Sequence, residues 1–395
     1  MNPMTPYFLL AGAAALLGFF LCQRHPSRPG DLVLLALLSA VMLGMSMFRA
    51  VSVGVDYEMY LEYYRKVCQG GWAFLISPEN PYRTEFGYSL LNWLLSFLGP
   101  SQVVFSAGIA LVCLGLNAVF LYRHSPSVWL SLFIFISFGF FGYTLCTLRH
   151  QIAIAIFLFA LPRLQEKRFW PYLFLVLLSA AFHKSMLIWI PVYFLAQLPL
   201  DRRAFGFYGV CLVLYFFFSV PVLRFITQFV YTGYQPDSYY MQGRDFATAV
   251  IPLTFFLAVL AMKKPLLDRN PQNLPLINLS FYCACLFLMT LKHFVFQRFG
   301  LVLLPVAMLL LPEITRCLAV PPEQQARLEE LRAAVKSGKG NKKAALQRYA
   351  SLRAELRDRR AMYWASIGFI LFAGFLYLGW LLSANRLLLA PYRLM

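Results

Sequence analysis

The chain has 395 residues, of which 60% are hydrophobic, 17% aromatic and only 13% charged. A soluble domain carries about 25% charged residues, so composition excludes an ordinary soluble globule and implies an all-α, polytopic integral membrane protein, since helices satisfy their own backbone in lipid. The net charge of +18 would suggest nucleic acid in a soluble protein; here no nucleic-acid module is present, no nucleic-acid partner is expected, and a bias of basic residues to cytoplasmic loops explains much of the charge.

At roughly 20 apolar residues per span, twelve spans are predicted near 6–22, 31–48, 101–122, 127–146, 148–162, 168–182, 184–199, 204–222, 247–262, 274–291, 297–312 and 361–382. The first lacks a basic n-region and a small-residue cleavage site, so it reads as a retained span and not a signal peptide. A further apolar stretch, 86–98, has 13 residues. At ~1.5 Å per residue it falls short of a ~30 Å core, and is predicted to be a re-entrant or interfacial helix. The eight cysteines lie mostly in apolar runs. Cys283 and Cys285 are too close for a CxxC pair, and no Cys/His ligand spacing occurs, so neither a disulfide framework nor a metal site is expected.

With twelve spans the loops divide into two sets. One holds Arg24 and Arg28, Arg123, the 163–168 turn, Arg202 and Arg203, the 263–269 turn and the segment 313–360, together 23 of the 35 Lys and Arg. The richer set is expected to be cytoplasmic, which puts both termini outside. Residues 49–85, the breaks at 146–151 and 183–184, the loop 223–246, and Lys292, His293 and Arg298 then face outward. The chain is expected to comprise a transmembrane core (1–312), a basic cytoplasmic helical hairpin (313–360), and a final span with an external tail (361–395). The hairpin reads as one helix through QARLEELRAAVK, a turn at SGKG (337–340), and a second helix through AALQRYASLRAELRDRR, with Leu346, Tyr349, Leu352 and Leu356 along one side. A basic hairpin beside a membrane is expected to contact anionic headgroups at 323–360. SGKGNKK lacks the spacing of a P-loop.

Within the outward set, RAVSVGVDYEMY (49–60) offers Asp56 as a base or a ligand of sugar hydroxyls, with Tyr57 and Tyr60 to stack on sugar faces. The plainer reading is a helix-capping Asp and interfacial tyrosines. YRTEFGYSLLNWL (82–94) places Arg83, Glu85 and Tyr88 at the start of the short helix; alternatively Arg83 and Glu85 are a surface pair. Arg149 carries five donors in a fork that suits phosphate oxygens, beside His150 and Gln151, although an arginine at a helix end can also snorkel to headgroups. His183 and Lys184 sit at a similar break; histidine can act as acid or base near neutral pH, or as a buried hydrogen-bonding group. Arg298, in VFQRFG, resembles Arg149 in placement, and YTGYQPDSYYMQGRDF (231–246) adds tyrosines with Asp237, Arg244 and Asp245. Intramembrane ionisable groups are costly and usually face water, a partner or a substrate.

Taken together, these elements resemble the EpsG-type, Wzy-like polysaccharide polymerase family. The resemblance rests on Arg49 with Gly54, Asp56, Tyr57 and Tyr60, then Glu85, Gly87 and Tyr88 leading into LLNWLLSFLG, then Arg149, Ile152, Ala153 and Ala155, and finally Phe182, His183, Lys184 and Ser185, over roughly residues 30–310. His150 stands where a Gln is more usual, and the 313–360 segment is not a family feature. The resemblance implies a GT-C-like, metal-independent glycosyltransferase of the bacterial inner membrane, without cofactor. It would join undecaprenyl-diphosphate-linked oligosaccharide units at the periplasmic face. Lipid-linked donor and acceptor glycans are its expected partners, with a flippase and a chain-length regulator of the same pathway. Asp56, Glu85 and His183 are the candidate catalytic groups. Arg49, Tyr57, Tyr60, Arg83, Tyr88, Arg149, His150, Gln151, Lys184, Lys292 and Arg298 are the candidate substrate contacts. The competing expectations are a transporter or flippase for lipid-linked sugars, for which no internal repeat is detected, an O-antigen ligase, and an acyltransferase, for which no cytoplasmic acyl-donor site is suggested.

Overall fold

The protein is described by a computed structural model covering residues 4–229, 241–337 and 342–395. It is all-helical among those residues; the only extended pairing is an isolated antiparallel bridge between Arg49 and Leu394. The first half comprises α1 (Thr5–Gly18, extended by a π turn to Gln23), α2 (Arg28–Met47), α3 (Tyr57–Ile76), α4 (Phe86–Ser96), α5 (Gln102–His124), α6 (Val128–Ser137), α7 (Phe140–Cys146), α8 (Leu148–Leu158), α9 (Ala160–Gln165) and α10 (Phe169–Ala180). A 3₁₀ turn over Lys184–Trp189 leads to α11 (Val192–Leu195) and α12 (Arg202–Phe229). The second half holds α13 (Ala247–Ala261), α14 (Lys263–Arg269), α15 (Leu274–Met289), α16 (Val295–Leu303), α17 (Ala307–Leu318), α18 (Pro322–Ser337) and α19 (Lys342–Ala384).

Among the described residues seven helices are long and apolar enough to cross a membrane, or nine if two bent pairs, α6 with α7 (52°) and α13 with α14 (61°), each form one span. Three of the twelve segments expected from sequence are not single helices of that kind. The three segments that fail are 148–162, 168–182 and 184–199. The first is two short helices meeting at Phe159, the second a 12-residue helix, and the third a 3₁₀ turn followed by a four-residue helix. A 12-residue helix rises only ~18 Å. The stretch 86–98 is an 11-residue helix, α4, as its length predicts.

Burial explains why the short pieces remain apolar. Every residue of α6 and α7 is buried, and in α8 every residue except Arg149. A helix apolar all round belongs in a core, and these helices form it with α15 and α17. By contrast α12 turns Phe207, Phe217 and Phe218 outward, as a peripheral span does. The bend between α6 and α7 sits at Gly139, whose φ of 81° favours glycine.

The helix ends gather into two groups. At one end Arg28 donates to the Tyr122 carbonyl at 2.9 Å, Gln165 to the Gln272 carbonyl at 3.2 Å, Lys263 to the Leu200 carbonyl, and Arg269 pairs with Glu313. These are the loops richest in Lys and Arg, so a basic end exists whatever the number of complete crossings. At the other end lie residues 48–57, the α7–α8 junction and the C-terminal tail, with Tyr7 at the start of α1 donating to the Leu389 carbonyl at 3.2 Å. The two ends of the chain therefore meet.

The predicted hairpin is present as α18 packed on the first part of α19, and Arg360 donates to Gln325 Oε1 at 2.6 Å. Its turn at 338–340 lies outside the described residues. The second hairpin helix and the last span are one uninterrupted 43-residue helix. Leu356 is buried, whereas Leu346 is exposed.

Gly54 has φ 106°, and a Cβ there would lie 2.3 Å from the Leu145 carbonyl oxygen. Gly54→Ala is expected to cost roughly 1–3 kcal/mol, measured as a lower midpoint of thermal unfolding in detergent. Gly115→Ala, at a helical glycine with open space around it, should leave the midpoint unchanged or raise it slightly.

Candidate functional site

Three breaks in the helices bring ionisable groups together at the end opposite the basic loops. Glu85 occupies the N-cap position of α4. Thr147, with ψ 61°, separates α7 from α8 and sets Arg149 in the first turn of α8. His183 is extended (φ −152°, ψ 106°) between α10 and the 3₁₀ turn. The first and third breaks are tied by the Gly87 N–H donating to the Ala181 carbonyl at 2.9 Å. A Cβ on Gly87 would lie 3.0 Å from that oxygen.

Glu85 is the hub. It is 3% exposed, and a carboxylate at that depth needs partners. One oxygen accepts from Arg149 Nη1. The other accepts from the Lys184 backbone N–H at 3.1 Å and lies 3.2 Å from His183 Nδ1, although that nitrogen is not aligned for a hydrogen bond. The Arg149 guanidinium also lies 4.0 Å from the centre of the Tyr82 ring and 5.8 Å from that of Tyr60, a cation–π geometry. Arg149 is thus clamped from two sides.

His150, one residue on, turns back toward His183, with ring centres 4.8 Å apart and its own Nε2 buried without a partner. Burial pulls the His183 imidazole down to about 3, with the charges of Arg149, Arg298 and Lys184 adding to the effect. His183 is therefore neutral at pH 7. Asp56 moves the other way. Burial raises its carboxyl, and the positive charges of Arg298 and Arg149 pull it partly back. Asp56 thus shares the electrostatic neighbourhood of both arginines, and the site combines Arg149, Lys184 and Arg298 with two carboxylates and two neutral-leaning imidazoles.

The other predicted residues divide. Tyr60 lines the Arg149 clamp. Tyr88 packs beside Tyr60 and is wholly buried, with its hydroxyl unpartnered. Gln151 is buried and donates to Thr147 Oγ1 at 3.4 Å. Arg49 and Tyr57 form a separate buried pair, with the guanidinium 3.9 Å from the ring centre and the Tyr57 hydroxyl joined to Ser106; neither presents a surface to a substrate. Arg83 is exposed. Lys292 donates to the Phe216 carbonyl, beside His293, which binds Ser219 and the Met241 carbonyl. The tyrosine-rich stretch lies outside the described residues from 231 to 240, Asp237 included.

Sequence reasoning missed Tyr82, which lies under Arg149. Its only signal was the aromatic residue next to Arg83 in the same motif. It also missed the support behind the tyrosines: Tyr63 donates to Ser89 Oγ at 2.9 Å, and Asn80 caps its own turn through the Tyr82 N–H at 2.9 Å. Among the described residues no three His, Cys, Asp or Glu side chains cluster as metal ligands would.

The model of the EpsG family matches residues 32–325. The chain belongs to the EpsG family. The match contains every charged group of the Glu85 cluster, and ends before α19 and the tail. Membership of the EpsG family supports a multi-pass membrane protein with a role in polysaccharide polymerisation. No curated protein and no solved structure matches the chain.

Glu85→Gln should destabilise this EpsG-family protein by about 3–5 kcal/mol, because Arg149 keeps its charge and loses its carboxylate. Adding Arg149→Met should recover part of the loss, giving a coupling of about 0.5–3 kcal/mol in a double-mutant cycle read by detergent unfolding. Strict additivity would sink the claim that the two side chains form one unit.

Proposed function

We propose that this protein polymerises undecaprenyl-diphosphate-linked oligosaccharide units at the periplasmic face of the bacterial inner membrane. The growing glycan leaves its lipid diphosphate and moves to a hydroxyl of the next lipid-linked unit. The observation that carries the reading is the buried Glu85 hub holding Arg149 and the His183–Lys184 backbone, with Asp56 and Arg298 close by, at the end away from the basic loops.

The chemistry requires two events. The acceptor hydroxyl loses its proton as its oxygen bonds to the anomeric carbon, and the bond from that carbon to the diphosphate oxygen breaks. Asp56 suits the first. A general base works best when its pKa lies near the working pH, and burial moves Asp56 in that direction, whereas His183 is held too low to take a proton readily. His183 serves instead as a neutral hydrogen-bonding group oriented by Glu85. Arg298, Lys184 and Arg149 suit the second event, since they stabilise charge growing on the diphosphate oxygen. Cations in these positions can neutralise a diphosphate without a metal.

Depth supports a lipid-linked substrate. α10 starts beside Arg168 at the basic end and rises only ~18 Å before His183, against a hydrocarbon core of ~30 Å. The site is thus recessed, at a level where a diphosphate anchored on a polyprenyl chain can reach it, under the cover of α3 and α4. Outward-facing termini and headgroup contacts of the 323–360 hairpin belong to the same reading.

The test is polymerisation by purified protein of a defined lipid-linked repeat unit. Asp56→Asn should lower the rate by about 10²–10⁴-fold, and Arg298→Gln by about 10²–10³-fold. Normal-length polymer from both Arg149→Ala and His183→Ala at normal protein levels would overturn the assignment. Movement of labelled lipid-linked sugar without bond formation would identify a transporter instead, and transfer to lipid A core a ligase.

The pH profile provides a second measurement. A rate that needs the Asp56 carboxylate is present above its raised pKa and is lost as pH falls through it. Arg298 lowers that pKa, so Arg298→Gln should move the acidic limb to higher pH. A limb that stays in place in Arg298→Gln excludes Asp56 as its origin.

A further inference from the structure

After α19 the chain reverses. Asn385 and Leu388 adopt positive φ of 44° and 51°, and the Asn385 side chain clips the Ala390 backbone on both its N–H and its carbonyl. Residues 387–395 then run along the loop that leads into Asp56. The Ala50 N–H donates to the Arg393 carbonyl at 2.8 Å, Gly54 to Leu388 at 3.0 Å, Val55 to Leu387 at 3.0 Å, and the Met395 N–H returns a bond to Phe48 at 2.9 Å. Leu389 is 1% exposed, so this tail is embedded and not frayed.

The same tail touches the supports of the other two arginines. The Cys146 thiol donates to the Leu387 carbonyl at 3.2 Å, and Cys146 lies three residues before Arg149. Arg386 pairs with Asp245. The segment before Asp245 is joined to the α15–α16 turn by Arg244 N–H to Thr290 at 3.0 Å and Phe294 N–H to Gln242 at 2.8 Å, and Arg298 follows in α16. Three N–H groups of residues 50–55 therefore have tail carbonyls as partners. Gly54 is trapped between the tail on one side and the Leu145 carbonyl on the other.

We propose that residues 386–395 are a positioning strap of the active site, holding the 48–55 loop so that the Asp56 carboxylate is presented to Arg149 and Arg298. This rests on the catalytic reading of Asp56 given above, but the strap itself can be measured without it. The strap touches no substrate in this scheme; it acts through the loop. It lies outside the stretch matched by the family model, which ends at residue 325.

The experiment compares the full chain with a chain ending at Asn385, in the same detergent, by backbone hydrogen exchange and by polymerisation of a defined lipid-linked unit. Removal of the strap should raise exchange of residues 48–57 and lower kcat by about 100-fold with KM little changed, as expected for a misplaced reacting group. A synthetic peptide of residues 386–395 added in trans should restore part of both. Where the shortened chain does not fold, Arg386→Gln combined with Tyr392→Phe removes the Asp245 pair and the Tyr392 bond to the Met45 carbonyl at 2.7 Å without touching the backbone; raised exchange at 48–57 and a reduced kcat are again expected. Unchanged exchange at 48–57 in a folded variant overturns the strap, as does raised exchange with full kcat. Raised exchange in a protein that never polymerises, wild type included, overturns the polymerase reading and upholds the strap's hold on the loop.

Discussion

A carboxylate that is almost wholly out of water has to be surrounded by donors, and Glu85 is the point at which this structure meets that requirement. From its place at the start of α4, its two oxygens reach groups from two other segments: the first turn of α8 and the break after α10. Each of those segments ends a helix early. The breaks and the carboxylate thus require each other, because opened backbone and buried charge are both costly in a low-dielectric interior unless each satisfies the other. Removing the charge would leave Arg149 between tyrosine faces with no counter-ion; closing the breaks would remove the donors.

This dependence also sorts the charged groups by role. Arg149 is engaged by a carboxylate and two aromatic faces before any ligand arrives, so it contributes a fixed field more than a mobile hand. Asp56 sits on a loop governed from elsewhere, by tail carbonyls and by the close approach of Gly54 to α7. The site is built from one rigid half, on α4, α8 and the turn after α10, and one half whose position is set by backbone hydrogen bonds.

Much of the architecture is legible in the amino-acid order, and the exceptions have physical causes. The basic end is readable because loop charge follows orientation, and the shortness of α4 is readable from its length. The three segments over 148–199 look like spans because burial within protein and burial in lipid call for the same residues. Hydropathy cannot tell α8, enclosed on nearly every side, from a helix facing acyl chains. Glu85, Arg149 and His183 stand out as expensive groups at breaks. Arg49 and Tyr57 stand out equally, yet they satisfy one another in the interior. Arg83 and Tyr82 are neighbours on an irregular turn, where no periodicity says which side chain points inward. The strap is silent in sequence because backbone hydrogen bonds carry no residue code.

The unbroken α19 gives these parts a shared geometry. It begins in the polar hairpin at the basic end, crosses the whole structure, and passes directly into the tail that holds the Asp56 loop. At ~1.5 Å per residue its 43 residues form a rod of about 64 Å. No proline interrupts it, and its glycines, Gly368, Gly374 and Gly379, all lie in the half nearer the tail. The hairpin and the tail that holds the Asp56 loop thus lie at the two ends of one continuous helix.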